Sequence, residues 1–510
     1  MENTAISLTT VALFAPLVGM FVLFFIPRAR EEAIRWVALG TTLVTFILTI
    51  LLALAMDHAN PDLQLVTFYN WVPAWGISYY VGVDGLSILL VLLTSFIMPA
   101  AILVSWDSIK DRVKLYYVFM LLLEFAMIGV FVAQDLFLFY IFWEVTLVPM
   151  YFLIGIWGAE NRVYAAVKFF LYTMAGSLLM LIAILFLGNM GGTFALPELI
   201  AQVRNGTLVY PAGAEMLLFA GFAIAFAIKV PMWPLHSWLP DAHVQAPTAG
   251  SVILAGVLLK MGTYGFVRFN LPLFPQASVQ AAPLIAVLAV IGIIYGAWVS
   301  YAQKDAKKLV AYSSVSHLGF VMLGIFALNA AGISGGILQM VNHGISTGGL
   351  FILVGILYER RHTKALDAFG GVWKALPLFG GLSLIIVLSS MGLPGMNGFV
   401  GEFTILLGSF GSPVLGFFFT FFAAFGVIMA AVYLLYMFQK IFMGPLDKPE
   451  NEALAAQPLT WKELVALAPL IVMIFWIGLF PQMFFGMMSS SVSELVAQVG
   501  PFVQMVAGGG

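Results

Sequence analysis

Residues 215–240 read EMLLFAGFAIAFAIKVPMWPLHSWLP, and this stretch decides the fold class. It is an apolar run of membrane-spanning length that contains one lysine, Lys229, and then three prolines. A bilayer core needs about 20 apolar residues per helix, whereas proline removes a backbone donor and prevents a regular helix. The stretch therefore predicts a transmembrane helix that is interrupted beside a buried charge.

The whole chain has a composition similar to that of this stretch. Of its 510 residues, 62% are hydrophobic and only 9% are charged, and the mean hydropathy is +1.03. Because a soluble chain carries about 25% charged residues, almost all of this chain is expected to lie in a bilayer. The net charge of −2 argues against a basic nucleic-acid-binding protein. The lack of cysteine excludes disulfides, thiol catalysis and iron–sulfur ligation by this chain.

Apolar runs predict an all-α membrane protein with about fourteen transmembrane helices, because the alternation of a β-barrel is missing. No basic residue precedes the first run, which is therefore expected to be a retained span and not a cleaved signal. The runs are 6–26, 36–55, 85–106, 115–132, 136–157, 164–188, 215–238, 247–269, 283–301, 308–328, 335–357, 377–408, 413–438 and 464–486. The longest connections, 56–84, 189–214 and 439–463, are expected to be interfacial segments and not folded domains.

The basic residues support this count. Of the 22 Lys and Arg, eighteen follow odd-numbered runs, whereas only Arg204 and Arg268 follow even-numbered ones. The remaining two, Lys229 and Lys260, lie within runs. Since cytoplasmic loops are enriched in Lys and Arg, both termini are expected to face away from the cytoplasm.

Seven ionisable side chains lie well inside the apolar runs, away from their ends. A charged side chain at the centre of a membrane helix costs roughly 2.5–3.5 kcal/mol, so each requires a physical reason. Pairing between helices explains any single one, but the whole set favours a hydrated polar path. Desolvation disfavours the charged forms of lysine and glutamate, and imidazole titrates near neutral pH, so these groups suit proton transfer. The seven are Glu124, Glu144, Lys229, Lys260, His317, His343 and Glu402.

Two interrupted helices indicate a transporter built from inverted repeats. The first break follows Lys229, and the second lies at 391–399, where two glycines flank Pro394 just before Glu402. Glu144 and His317 lie on spans 5 and 10, and Lys229 and Glu402 lie on spans 7 and 12. Each pair is five spans apart, and an odd offset reverses the orientation in the membrane. The predicted organisation is 1–110 for spans 1–3, 111–270 and 271–442 for two five-helix repeats, and 443–510 for the last loop and span 14.

Other sites fit the sequence less well. His236, Asp241 and His243 suggest a metal site, but Pro240 disturbs the helical spacing that would bring them together. A bis-histidine haem site needs paired histidines on facing helices, whereas His317 and His343 are single residues on the neighbouring spans 10 and 11. Nucleotide-binding glycine loops and catalytic serine motifs are missing from usable contexts. No metal or cofactor is therefore expected on this chain.

Three segments resemble the antiporter-like membrane subunits of respiratory complex I, which is NADH:quinone oxidoreductase. These subunits are related to the large subunits of multisubunit cation/proton antiporters. The segments are FWEVTLVPMY at 142–151, KVPMWPLHSWLPDAH at 229–243 and SSVSH at 313–317. The resemblance covers essentially the whole chain. Two of the three such subunits usually carry lysine at the position of Glu402, and a carboxylate there is typical of the third, the middle pump. The chain length favours a bacterial version.

The resemblance implies roles for the buried charges. Glu144 would be the switch that modulates Lys229, the central proton carrier of the first half. Lys260 would link the halves, and Glu402 would release protons. His317 and His343 would continue the relay, and Glu124 would be a possible coupling site toward a neighbouring subunit.

The resemblance also implies partners. The chain would lie in the bacterial inner membrane, with the mitochondrial inner membrane as the less favoured location, between flanking antiporter-like subunits and lipids. It would carry protons along internal water, while the flavin (FMN), iron–sulfur clusters and quinone belong to other subunits. Two alternatives remain open: a subunit of a cation/proton antiporter, and a structural spacer of the membrane arm that does not pump.

Overall fold

The computed structural model describes residues 4–507, and within them the chain is almost entirely helical. Twelve helices are long and apolar enough to cross a membrane, which confirms the predicted class of helical multi-pass membrane protein. They are α1 (Leu8–Phe25), α2 (Glu31–Leu54), α3 (Ile88–Ser105), α4 (Val113–Val132), α5 (Leu136–Trp157), α6 (Arg162–Gly191), α10 (Thr248–Leu273), α11 (Pro275–Tyr301), α12 (Ala306–Ile325), α13 (Ala330–Arg361), α16 (Phe417–Phe442) and α17 (Trp461–Leu479). The other helices of eight or more residues in this range are α7 (Leu196–Arg204), α8 (Ala214–Lys229), α9 (Trp238–Gln245), α14 (Pro377–Ser390), α15 (Asn397–Phe410) and α18 (Pro481–Ala507).

Both predicted interruptions are present. Helix α8 ends at Lys229, and the chain turns through the prolines before α9 begins. Helix α14 ends at Ser390, and α15 begins seven residues further on, at Asn397. The second break therefore lies in the middle of the predicted span 377–408, whereas the first lies at the end of the predicted span 215–238. At the second break Gly392 and Gly395 adopt φ of 78° and 89°, a left-handed conformation that a side chain disfavours.

Several helix ends are fixed by side chains that accept bonds from free backbone N–H groups. The carboxylate of Asp135 accepts from the amides of Phe137 and Leu138 at 2.9 and 3.0 Å, and starts α5. Asp305 starts α12 in the same way, by accepting from the amide of Lys308 at 2.9 Å. Such caps satisfy donors that a helix cannot bond internally, which matters more where little water is present.

The same local arrangement occurs twice in the chain. Asp135 forms an isolated antiparallel β-bridge with Ala195, and Asp305 forms one with Ala365. In both cases the aspartate also caps the helix that follows it. Both partners of the second bridge lie 170 residues after the matching partners of the first.

Two elements were not predicted. Part of the connection 56–84 forms a β-hairpin of strands β1 (Gln64–Val72) and β2 (Ile77–Val83), in which Phe68 pairs with Tyr80. The run predicted as 464–486 ends at Leu479, and Pro481 begins the separate helix α18. This last helix is not among those apolar enough to cross a membrane.

Helix α18 is held by hydrogen bonds to distant parts of the chain. The amide of Gly85, just after β2, donates to Ser491 Oγ at 3.0 Å, and Gln498 Nε2 donates to the carbonyl of Pro272 at 3.0 Å. Glu494 forms an exposed ion pair with Arg204 at 2.5 Å. The helix therefore ties the hairpin to the ends of α7 and α10.

Several basic residues that were counted with the loops lie inside helices, which corrects the prediction, and two of them are buried beside an oxygen partner from another part of the chain. Arg268 is buried in α10, where its guanidinium makes two hydrogen bonds to the carboxylate of Asp84 at 2.5 and 2.6 Å. Lys307 is buried in the first turn of α12 and donates to the carbonyl of Ala246 at 2.5 Å. Each cation is tolerated there because an oxygen partner replaces its water.

Candidate functional site

Four of the seven predicted ionisable residues form one group, which we call the C-terminal cluster: Lys260, His343, His317 and Glu402. Lys260 Nζ lies 2.6 Å from His343 Nδ1, and His317 Nδ1 lies 2.8 Å from Glu402 Oε1. The two imidazole rings are 5.9 Å apart between centroids. The cluster therefore runs through the interior from α10, across α13 and α12, to α15.

Lys260 occupies an unusual part of its helix. A short α-helical segment that contains it, Leu259–Gly265, lies between two π-helical stretches, Leu254–Leu258 and Phe266–Asn270. Lys260 Nζ also donates to the carbonyl of Ala255, which belongs to the first of these stretches. A π-helical turn changes the backbone bonding pattern and is frequent at functional sites. Here the first π-helical stretch contains Ala255, and the carbonyl of Ala255 accepts the hydrogen bond from the Lys260 amine.

His317 is bonded on both ring nitrogens. Glu402 is on one side, and the hydroxyl of Tyr433 from α16 lies 3.0 Å from Nε2 on the other. Glu402 Oε1 also accepts from Gln339 Nε2 at 3.1 Å, while its second oxygen is buried without a hydrogen-bond partner. The ring is thus held so that a proton on Nδ1 points at the carboxylate.

A small polar cavity adjoins the cluster at the second helix break. Asn342 Nδ2 donates to the carbonyl of Asn397 at 2.7 Å, and Ser389 Oγ donates to Asn397 Oδ1 at 2.5 Å. At the break itself, the amides of Gly392 and Leu393 donate to the carbonyls of Ser389 and Leu388 at 3.2 and 3.1 Å, so these carbonyls are bonded, as a membrane interior requires. The cavity is lined by His317, Gln339, Asn342, His343, Ser346, Thr347, Ser389, Ser390 and Gly398.

Gln339, Asn342 and Tyr433 were not predicted as site residues. A pattern of polar residues on one helix face indicates the first two of them. Gln339, Asn342 and His343 follow the spacing of one helical face, and Ser346 continues it. A polar stripe on an otherwise apolar helix points to a buried polar surface. Tyr433 lies among apolar residues and carries no such pattern.

The remaining residues are arranged differently, and we call Glu144 and Lys229 the N-terminal pair. Lys229 is 1% exposed at the end of α8, and its Nζ has no hydrogen-bond partner. The amine lies over the rings of Trp143 and Phe169, at 5.3 and 5.7 Å from their centroids. Cation–π attraction and the negative end of the helix dipole both favour its charged form there.

Glu144 lies one residue beyond Trp143, so α5 brings both side chains to Lys229. The carboxylate is half-buried, lies near the hydroxyls of Tyr140 and Ser177, and is within electrostatic reach of Lys229. Its Oε1 has no hydrogen-bond partner. The two members of the pair thus interact by charge and not by a direct hydrogen bond.

Glu124 stands apart from the other six residues. Both of its carboxyl oxygens are buried on α4, and neither has a hydrogen-bond partner within residues 4–507. A buried ionised carboxylate without a partner is very costly, so the neutral acid is the form compatible with this position. The structure gives it no direct bond to the C-terminal cluster or to the N-terminal pair.

The residues considered for a metal site point in different directions. His236 packs beside the ring of Tyr295, whereas His243 stacks on Phe351 and Asp241 binds Lys168 at 2.6 Å. Over the described range, 4–507, no group of three or more His, Cys, Asp or Glu side chains is arranged to hold a metal ion.

A multi-pass helical protein with two interrupted helices and a line of ionisable side chains in its interior has the architecture of secondary transporters. Residues 133–432 match the family model described as NADH:quinone oxidoreductase/Mrp antiporter, and the chain therefore belongs to this family. The prediction of the family, and of the subunit M or chain 4 type within it, is confirmed by its relatives.

The chain is 43% identical to NADH-quinone oxidoreductase subunit M of Rhodobacter capsulatus, over 98% of this chain and 99% of that protein. It is 42% identical to NADH-ubiquinone oxidoreductase chain 4 of Marchantia polymorpha, over 94% of this chain and 95% of that one. A solved chain of respiratory complex I from Thermus thermophilus superposes with a TM-score of 0.85 at 32% identity. That match covers 96% of this chain and 100% of the solved chain.

Proposed function

We propose that this chain translocates protons as an antiporter-like subunit of NADH:quinone oxidoreductase. The observation that carries the proposal is the C-terminal cluster, in which Lys260, His343, His317 and Glu402 are joined or adjacent inside the membrane-spanning region. Membrane helices gain packing more cheaply from small residues, so a buried cluster of this kind favours a transport role over a packing role.

The cluster is suited to passing single protons. At 2.6 Å, one of Lys260 Nζ and His343 Nδ1 must donate while the other accepts, so the two groups share a proton. His317 as an imidazolium donates to Glu402 from Nδ1 and to Tyr433 from Nε2. When the Nδ1 proton passes to Glu402, the neutral ring still donates from Nε2 to Tyr433, and the protonated carboxyl donates to Nδ1. A proton can therefore leave toward Glu402 without breaking the contacts that position the ring.

The N-terminal pair supplies a switch. While Glu144 is ionised, its charge stabilises the ammonium form of Lys229. When the carboxylate is neutralised, the desolvated amine retains only the two aromatic faces and discharges its proton. Redox energy released in other subunits would act by shifting this balance. Glu124 is proposed as an additional coupling site, because its unpartnered carboxyl can respond to a neighbouring charge.

We also propose fourteen spans arranged as two inverted repeats, with the domain limits predicted from the sequence. The two interrupted helices and the two matching β-bridges at Asp135 and Asp305 support a repeated architecture. The distribution of basic residues supports both termini on the non-cytoplasmic side. The proposed location is a bacterial inner membrane, which the similarity to the Rhodobacter capsulatus subunit supports.

The names of the relatives support the proposed assembly. Flanking antiporter-like subunits and lipids would surround the chain, and the flavin, iron–sulfur clusters and quinone would be bound elsewhere in the complex. The cation/proton antiporter alternative is supported by the family description, which includes Mrp antiporters.

Purification in mild detergent through a tag on this chain tests the assembly. We expect NADH:quinone reductase activity in the purified material, and NADH-driven proton uptake after reconstitution into liposomes. Glu144→Ala and Lys229→Ala should assemble but lose proton uptake. Full uptake by an assembled Lys229→Ala complex would refute the mechanism and favour a spacer. Cation/proton exchange without reductase activity would favour the antiporter.

A further inference from the structure

Three basic side chains surround a cavity where α1 ends and α4 begins. The cavity has a volume of about 510 Å³, and Arg28, Arg112 and Lys114 are the cations that line it. Arg28 lies in the connection between α1 and α2, whereas the other two lie at the start of α4. Both connections follow odd-numbered spans, so the positive-inside rule assigns the cavity to the cytoplasmic face.

Lys114 ties the two helices together and still has a free donor. Its Nζ donates to the carbonyls of Phe24 and Ile26, at the end of α1, at 2.8 and 2.9 Å. An ammonium group has three N–H donors, so one remains for a further acceptor. Because both bonded partners are neutral carbonyls, neither of them balances the charge of Lys114.

The two arginines are poorly neutralised as well. Both are exposed, and within residues 4–507 Arg28 forms no ion pair. Arg112 lies 3.7 Å from the carboxylate of its neighbour Asp111, but both side chains are so exposed that water screens the pair. Glu31, which also lines the cavity, is bonded to Arg35 at 3.2 Å. The cavity therefore holds an excess of positive charge.

The part of the cavity that lies deeper along the helices is apolar. Phe24 of α1 and Leu115 and Val118 of α4 line it, and the first two are exposed. Phe21, about one turn deeper in α1, is also exposed, and its ring centroid is 6.2 Å from that of Phe24. An exposed apolar stripe thus leads from the three cations toward the membrane interior.

We propose that this cavity binds an anionic phospholipid of the cytoplasmic leaflet. The phosphate accepts hydrogen bonds from Arg28, Arg112 and Lys114, and an acyl chain lies along Phe24 and Phe21. Guanidinium groups bond phosphate oxygens in pairs, which suits them to this role. A free phosphate ion uses the cations but not the apolar stripe, whereas a phospholipid uses both. The site goes beyond the proposed function, because it binds a lipid and carries no proton.

Photolabelling tests the site in the complex purified through a tag on this chain and reconstituted into phosphatidylcholine liposomes. A trace of phosphatidylglycerol or of phosphatidylcholine carries a diazirine near the top of one acyl chain, and peptide mass spectrometry measures the label on residues 21–24 and 115–118. Phosphatidylglycerol should label these residues at least about ten-fold more strongly, since each basic residue near a membrane surface contributes roughly five-fold to the binding of an anionic lipid. Arg28→Gln combined with Arg112→Gln should remove most of this preference.

The matched control is Arg30→Gln combined with Lys110→Gln, which removes the same charge from the same two connections. Both residues are exposed and neither lines the cavity, so the preference should persist. An equal loss in the two double variants, or equal labelling by the two lipids in the unaltered complex, would overturn the site. Displacement of the label by inorganic phosphate would also overturn it, in favour of a free anion.

A competition in the unaltered complex decides if the double arginine variant does not assemble. Unlabelled phosphatidylglycerol should displace the label, whereas zwitterionic phosphatidylethanolamine should not, and equal displacement by both would refute the proposal. The label is measured without proton uptake. A failure of this lipid site is therefore distinguishable from a failure of the proposed function.

Discussion

The C-terminal cluster and the N-terminal pair hold buried charges in opposite ways. In the cluster, Lys260 and His317 each bond a second ionisable side chain at 2.6 and 2.8 Å. In the pair, Lys229 has no hydrogen-bond partner and faces aromatic rings. A bonded group stays positioned while its proton moves, whereas an unpartnered charge depends on whatever charge lies nearby. The C-terminal cluster is therefore suited to conducting protons, whereas the N-terminal pair is suited to controlling when a proton is released.

The sharpest way to break this comparison is to remove the unpartnered amine. Lys229→Met keeps most of the length of the side chain without its amine and should lower proton uptake about 10²-fold or more, as expected for loss of a proton carrier. Thermal stability of the purified complex should stay equal or rise, because an unsatisfied buried nitrogen is removed. Lys440→Met, at an exposed lysine, is the matched control. A large loss of stability would show that Lys229 is paired after all.

The buried ion pair Arg268–Asp84 lies outside the relay, and breaking it should lower the stability of the fold. Arg268→Met leaves Asp84 buried without its partner and should destabilise the fold by about 3–5 kcal/mol. Adding Asp84→Leu should restore most of the stability, because no buried charge then remains. Thermal unfolding of the purified complexes measures both. A double variant as unstable as the single one would contradict the assignment.

The hydroxyl of Tyr433 should matter less than Glu402. Tyr433→Phe removes one bond to His317, worth about 1 kcal/mol, so proton uptake should fall roughly five-fold or less. Glu402→Gln, which removes the acceptor itself, should cost far more. Equal losses in the two variants would mean that positioning, and not proton acceptance, limits transfer in the cluster.

The smallest effect is expected at the pair Lys168–Asp241, which is closely spaced at 2.6 Å but partly exposed. Asp241→Asn should change stability by no more than about 1 kcal/mol, since water screens such pairs. Proton uptake should remain near normal. A strong loss of uptake would bring Asp241 into the path and would blur the distinction between bonded and unpartnered groups.

The sequence by itself determined the class of fold, both helix breaks and the positions of the buried charges. Hydropathy and proline or glycine content are local properties, and a helix that crosses a bilayer must satisfy its own backbone. Lys229 beside its prolines and Glu402 after Gly392 and Gly395 could therefore be found by inspection. The polar stripe that contains Gln339 could have been found in the same way.

Only the tertiary structure decided which of these groups meet. The pairing of His317 with Glu402 and of Asp84 with Arg268 joins residues far apart in the chain, and it depends on how each helix is rotated toward its neighbours. The β-hairpin and α18 escaped prediction because their mixed polarity gives no spanning pattern. The sequence shows where a charge enters the membrane, but packing between helices determines whether that charge has a partner.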